Sequence, residues 1–116
     1  MKSRTALAFI SVVTIGVAYA GHIAVAAQAD PPGKAPYEEN CRKCHGVRGV
    51  APKTMKAKYP KIATFDSAFF VKHSQDSIVT ILTKGKNEDM KSFKDKLTHE
   101  QMEAVAKYIK SFAVKG

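Results

Sequence analysis

The two cysteines of this 116-residue chain lie in Cys41-Arg42-Lys43-Cys44-His45. On a helix, side chains three and four residues apart share a face, so Cys41, Cys44 and His45 can address one planar object together. Two thiols at that spacing can each add to one vinyl group of a haem, giving two thioethers. The imidazole next to the second thiol is then placed to bind the iron from one side. Other chemistries need surroundings that this sequence does not offer as well. A thioredoxin-like dithiol calls for a βαβ context, and no strand pair is legible here. A zinc site calls for a fourth ligand and normally a second cysteine or histidine pair. A plain disulfide across so short a span is open to an exported protein, but it leaves His45 without a role.

Haem iron has two axial positions, and His45 fills one. Its other ring nitrogen is expected to donate to a backbone carbonyl, which fixes the ring and tunes the iron; Pro52 is the candidate partner. Four methionines compete for the opposite side. Met1 is in the leader. Met102 falls on the apolar face of the last helix, where packing explains it. Met55 lies in the loop after His45. Met90 lies in a polar loop 45 residues after His45. A flexible apolar side chain held among polar neighbours needs a reason, and an iron–sulfur bond supplies one. Met90 is therefore the candidate ligand, with Met55, His73, His99 and an open position as alternatives. His73 ends a short helix and His99 falls in the first turn of the last helix, so each has a surface or packing explanation. His22 belongs to the leader.

The elements that must position these residues follow a leader. Lys2 and Arg4 give a positive start, residues 5–20 carry no charge, and small-residue cleavage patterns follow, as in a secretory signal peptide. We expect a cleaved signal over residues 1–29, with cleavage after Ala20 as the earlier alternative, a linker over 30–36, and one domain over 37–116. An uncleaved signal would instead anchor the protein in a membrane. Pro36 suits the first turn of a helix, with Glu38 and Glu39 complementing its N-terminal dipole. That helix would carry Tyr37, Cys41 and Cys44 and end near Gly46. Residues 46–66 show no sustained period and are punctuated by Gly46, Gly49, Pro52 and Pro60, so they read as one irregular loop. A loop of that length needs an organiser other than backbone pairing.

Asp66 can cap a short helix ending near Ser74, and Ser74 can cap another over residues 75–84, with Ile78, Val79, Ile81 and Leu82 as its apolar set and Gly85 at its stop. Residues 85–97 form a polar loop with two apolar islands, Met90 and Phe93. Thr98 and Gln101 then occupy the reciprocal positions of a capping box, and Leu97 and Met102 those of the hydrophobic staple. Met102, Val105, Ala106, Ile109, Phe112 and Ala113 follow helical spacing along one face. The fold class expected is all-α. So short a chain buries little surface, which is a second reason to expect a cofactor at its centre. Candidate wall residues are Phe65, Phe69, Phe70, Ile78, Ile81, Leu82, Phe93 and Leu97.

Nineteen basic and ten acidic residues give a net charge of +9, or +7 once Lys2 and Arg4 are removed with the leader. Export argues against nucleic acid as the partner, so an acidic protein surface is the better match. Arg42 and Lys43 sit between the cysteines. Lys84, Lys86, Lys91, Lys94 and Lys96 surround Met90, and Arg48, Lys53, Lys56, Lys58 and Lys61 run without an intervening acid.

With these residues in place, the chain resembles a small bacterial class I cytochrome c. The segment Met90-Lys91-Ser92-Phe93-Lys94-Asp95-Lys96-Leu97-Thr98-His99-Glu100-Gln101 carries much of the resemblance. In this family the ligand methionine is commonly followed by proline, a small residue and an aromatic. A lysine-rich stretch, a leucine and a Thr-x-x-Gln helix start come next; Lys91 stands here in place of the proline. The resemblance covers about residues 34–113. It implies the cytochrome c fold: a few short helices round one covalently bound haem c, with the first and last helices crossing and Tyr37 and Tyr108 as partners there. It further implies a non-enzymatic, periplasmic one-electron carrier, monomeric and ligated by His45 and Met90, that serves larger redox proteins with acidic docking surfaces. The alternative is a haem protein with a labile or open sixth position, acting as a small-ligand sensor or weak peroxidase.

Overall fold

The computed structural model describes residues 28–113, with Gly16 and Gly21 as isolated described positions before them. The leader expected over residues 1–29 therefore lies, apart from these glycines and Gln28 and Ala29, outside the described residues. The described chain is all-α, as expected: α1 Lys34–Asn40, α2 Arg42–His45, α3 Lys53–Lys58, α4 Ser67–Lys72, α5 Gln75–Lys84 and α6 His99–Ala113.

Local polar chemistry sets most of these boundaries. The Asp66 carboxylate accepts from the Phe69 N–H at 2.9 Å, opening α4, and the Ser74 hydroxyl accepts from the Ser77 N–H at 3.2 Å, opening α5. Gly85 closes α5 at φ +78°, a conformation that costs a glycine little. At the start of α6 the capping box closes in both directions: Thr98 N–H to Gln101 Oε1 at 2.9 Å, and Gln101 N–H to Thr98 Oγ1 at 3.1 Å.

The first helix departs from expectation in two ways. It begins at Lys34, two residues before Pro36, on a turn in which Lys34 N–H donates to Pro31 O at 2.9 Å. Pro36 is still tolerated, because the first turn has no carbonyl for its missing N–H to meet, but Glu38 and Glu39 fall beyond that turn. The chain then bends at Cys41 (φ −120°, ψ −39°), which divides the expected single helix into α1 and α2. Hydrogen bonds run across the bend, from Cys41 N–H to Tyr37 O at 2.8 Å and from His45 N–H to Cys41 O at 2.9 Å, so α2 stays aligned with α1.

Residues 46–66 are not wholly irregular. They contain α3, opened by the Pro52 carbonyl, which accepts from the N–H groups of both Met55 and Lys56 at 2.9 Å. No residue of α3 is buried, so it has no apolar period to betray it.

The core joins Tyr37 from α1, Ile78, Val79 and Leu82 from α5, and Met102, Val105, Ala106 and Ile109 from α6, with Leu97 ahead of the capping box. The first and last helices cross as the family resemblance implies. Tyr37 is fully buried; its ring meets Tyr108 edge-on at 5.6 Å and Phe112 at 5.3 Å, and its hydroxyl donates to Gly46 O at 2.7 Å. Gly33 makes the crossing possible. A Cβ there would stand 2.1 Å from the Ala104 carbonyl oxygen, backbone that cannot yield without moving α6.

Candidate functional site

A cavity of about 700 Å³ opens between α2, α5 and the loop after α5, within the range of sites that hold a sizeable organic ligand. Cys41, Cys44, His45 and Met90 all line it. The first three come from the bend and α2, and Met90 comes from the loop between α5 and α6. Ile78, Ile81, Leu82, Phe65, Phe69 and Phe93 form apolar wall, as expected. Phe70 and Leu97 do not reach it; both pack into the protein core instead. Tyr59 and Ile62 add wall that periodicity did not single out, and Val105 and Ile109 bring part of the apolar face of α6 to it.

The bend at Cys41 buries that residue to 8 % exposure within the core cluster, while Cys44 is half-buried. Neither cysteine is in a disulfide. Burial, with Cys44 adding to it, pushes the Cys41 thiol up to about 11. It is therefore protonated at neutral pH, unlike the activated thiolate of a redox dithiol.

The His45 ring stacks on Phe65, with centroids 4.7 Å apart and planes 20° from parallel. Phe65 is held in turn by its N–H to Gly49 O at 3.0 Å. Gly49 must be small: a Cβ there would meet the Phe65 side chain at 2.7 Å. Burial holds the imidazole below its usual pKa, against a raising contribution from the Ala63 backbone and with the Lys86 charge adding to the lowering. The neutral, metal-binding form is favoured. His45 Nδ1 is buried without a hydrogen-bond partner. Pro52, the expected carbonyl partner, is not one here; its oxygen is committed to the start of α3.

Met90 is half-buried and packs against the core. Its loop closes on itself, Met90 O accepting from Lys86 N–H at 2.8 Å, and is tied to α5 where Phe93 N–H donates to Leu82 O at 2.8 Å and Ser92 Oγ donates to Thr83 O at 2.5 Å. The rival residues lie elsewhere. Met102 is in the core, where its sulfur meets the Thr83 hydroxyl at 3.4 Å. Met55 is on α3 and is not among the cavity residues. His73, at the end of α4, packs against Phe69 with ring centroids 4.4 Å apart and planes tilted by 32°. His99 is exposed and pairs with Glu103 at 3.3 Å.

Asn87, which with Gly85 shapes the Met90 loop, went unnoticed in the sequence, where Gly85 reads only as the stop of α5. The Asn-x-x-Met spacing was the available signal, since an asparagine side chain commonly accepts from N–H groups two and three residues ahead.

The donor set suits haem. Two thiols and an imidazole stand together, a thioether lines the same space, the walls are apolar, and a buried imidazole nitrogen is left unpaired. These features define a class, the small monohaem c-type cytochromes with the all-α cytochrome c fold. The chain belongs to the cytochrome c family: residues 28–109 match the family described as cytochrome c oxidase, cbb3-type, subunit III. It is 37% identical over 87 residues to cytochrome c6 of Microcystis aeruginosa, covering 72% of this chain and 98% of the relative. It is 34% identical over 121 residues to cytochrome c6 of Thermosynechococcus vestitus, covering 100% of this chain and 97% of that one. Among solved structures it is similar to the KustC0563 c-type cytochrome, with a TM-score of 0.63 and 29% identity over 70% of this chain and 96% of that chain. A variant of that cytochrome matches with a TM-score of 0.61 and 28% identity, covering 70% of this chain and 98% of that one.

Proposed function

We propose that this protein is a periplasmic one-electron carrier holding one haem c, bound through thioethers from Cys41 and Cys44 and ligated axially by His45 and Met90. The observation that carries this reading is the convergence of those four side chains on one apolar-walled cavity. The haem supplies a one-electron iron couple, and the chain's residues decide how that couple is used. His45 and Met90 would hold the iron between them, which would leave no position open to oxygen or peroxide. The thioether favours the reduced iron and raises the reduction potential relative to two imidazoles. The apolar wall acts in the same direction, because it disfavours the added charge of the oxidised state. Export through the leader proposed over residues 1–29 accounts for a periplasmic location. Among the described residues no helix is long and apolar enough to cross a membrane.

The optical spectrum tests this reading. A low-spin c-type spectrum with a weak far-red sulfur-to-iron band, unchanged by carbon monoxide, is the expected result. A high-spin spectrum that shifts with carbon monoxide would overturn it in favour of the sensor or peroxidase reading.

The partners of such a carrier are other redox proteins, and the surface favours acidic ones. Among the described residues Lys34–Asp30 is an ion pair, and His99–Glu103 is a contact that becomes one only with the imidazole protonated, so the basic residues round the cavity and on α2 have no acidic partner. Beside α2, Val47 (60 % exposed) and Val50 (55 %) share a surface depression with Arg42, Lys43 and Arg48 and with one acid, Glu38. An apolar centre with a basic rim fits a partner face with an apolar centre and an acidic rim. Electron exchange with an acidic redox protein should therefore slow as ionic strength rises. Val47→Ser with Val50→Ser should slow it at every salt concentration and leave the spectrum unchanged. Exchange insensitive to salt would remove acidic docking from the proposal, and an unaffected double variant would remove the valines from the docking face.

A further inference from the structure

We infer that Asn87 is the positioning residue that presents Met90 to the iron, an inference that rests on the His45/Met90 ligation proposed above. The family pattern commonly places a proline after the ligand methionine, and a proline restrains the backbone by fixing φ. Lys91 stands at that position in this chain, so the loop needs another restraint.

The Asn87 side chain provides it. Its Oδ1 accepts from the Asp89 N–H at 3.0 Å and from the Met90 N–H at 2.9 Å. The Met90 carbonyl accepts from the Lys86 N–H at 2.8 Å. Both backbone polar groups of Met90 are thus tied within a short closed turn. Gly85 lets this turn seat against the end of α5, because a Cβ there would lie 2.6 Å from the Ser92 nitrogen and 2.9 Å from the Lys91 carbonyl carbon. Downstream, Ser92 and Phe93 bond to Thr83 and Leu82 of α5. Those bonds fix the chain after Met90. Upstream, the Asn87 carboxamide is the side-chain group that grips the Met90 N–H itself.

Asn87 is exposed, so replacing it leaves no cavity in the core. Asn87→Ala strips two N–H groups of their acceptor. Two lost hydrogen bonds, softened by water at an exposed site, raise the open-loop population about tenfold. Carbon monoxide should then bind the reduced protein about tenfold faster, since Met90 must leave before it can enter. The far-red band should vanish at a lower temperature than in wild type, with the midpoint of global unfolding shifted less. Asn87→Asp keeps an acceptor oxygen at the same place and should restore both properties. If Asn87→Ala does not accumulate, Asn87→Leu, close to asparagine in volume and without an acceptor, gives the same comparison.

A wild-type protein without the far-red band would overturn the His45/Met90 reading, and this inference with it. A wild-type band that Asn87→Ala leaves unchanged, in temperature and in carbon monoxide binding, would overturn this inference alone. It would also fall if Asn87→Asp were as impaired as Asn87→Ala, or if band and global fold were lost together by equal amounts.

Discussion

On the proposed His45/Met90 ligation, Met90→Ala should abolish the far-red sulfur-to-iron band, open the sixth position to carbon monoxide and lower the reduction potential. The argument starts from the wall of the cavity. Among the described residues Met90 is the one methionine that lines it, because Met102 is locked in the core and Met55 sits on α3. Neither histidine rival can step in without rebuilding the fold: His73 packs against Phe69 at 4.4 Å, and His99 is on the exposed first turn of α6. Alanine at position 90 therefore leaves the iron with water or a weak ligand on that side. Loss of the thioether removes a ligand that favours reduced iron, so the potential falls by on the order of 0.1 V, a modest part of the ~0.8 V range that axial ligands control. The fold survives, since Met90 is only half-buried and the loop keeps its backbone ties to α5. Optical spectroscopy with carbon monoxide and a redox titration check this. A variant that keeps the band would show that another residue supplies the sulfur or that the band has another origin.

What could be read in the sequence is what local chemistry decides. Asp66, Ser74, Gly85, Thr98 and Gln101 act within a few residues of themselves, so their caps and stops could be placed by spacing alone, and each is found there. The apolar faces of α5 and α6 were legible because they are buried in register with a helical period. The features that were missed depend on contacts distant along the chain or on backbone groups. Helix α3 buries nothing and so has no period. The bend at Cys41 has no proline or glycine to announce it. The Pro52 carbonyl could not be known to be committed to α3 while α3 itself was invisible. Gly33 and Gly49 are small because Ala104 and Phe65 lie against them, and nothing near either glycine in the sequence says so. For the site, Cys41, Cys44 and His45 were legible as a motif, and Met90 as an apolar side chain out of place. The ties on the Met90 backbone had a local signal in the Asn-x-x-Met spacing, but one that neither hydrophobic periodicity nor helix-cap patterns bring out.

Replacing both Cys41 and Cys44 with alanine should eliminate covalent haem and, with it, most of the native population. The first effect is chemical. Each thioether needs a thiol sulfur, and the chain has two, so the denatured double variant should run on a gel without haem-associated stain while wild type retains it. The second effect follows from packing. The cavity of about 700 Å³ is walled by side chains from α1, α2, α4, α5, α6 and the connecting loops, while Tyr37, Ile78, Leu82, Val105 and Ile109 of that wall also pack together in the core beside it. Empty, that volume forfeits contacts for its whole apolar lining. A ligand held covalently cannot dissociate, so its contribution to the folded state does not fall with dilution, whereas a noncovalently held haem stabilises only in proportion to its free concentration. The single variants should separate the two cysteines. Cys41→Ala should lower the unfolding midpoint more than Cys44→Ala, because Cys41 lies in the core cluster at 8 % exposure and Cys44 is only half-buried. Either single variant should keep one thioether, with its reduced absorption band at longer wavelength because one vinyl group stays conjugated to the ring. A double variant that retained haem through denaturation would place the covalent attachment on other residues and overturn the site proposed here.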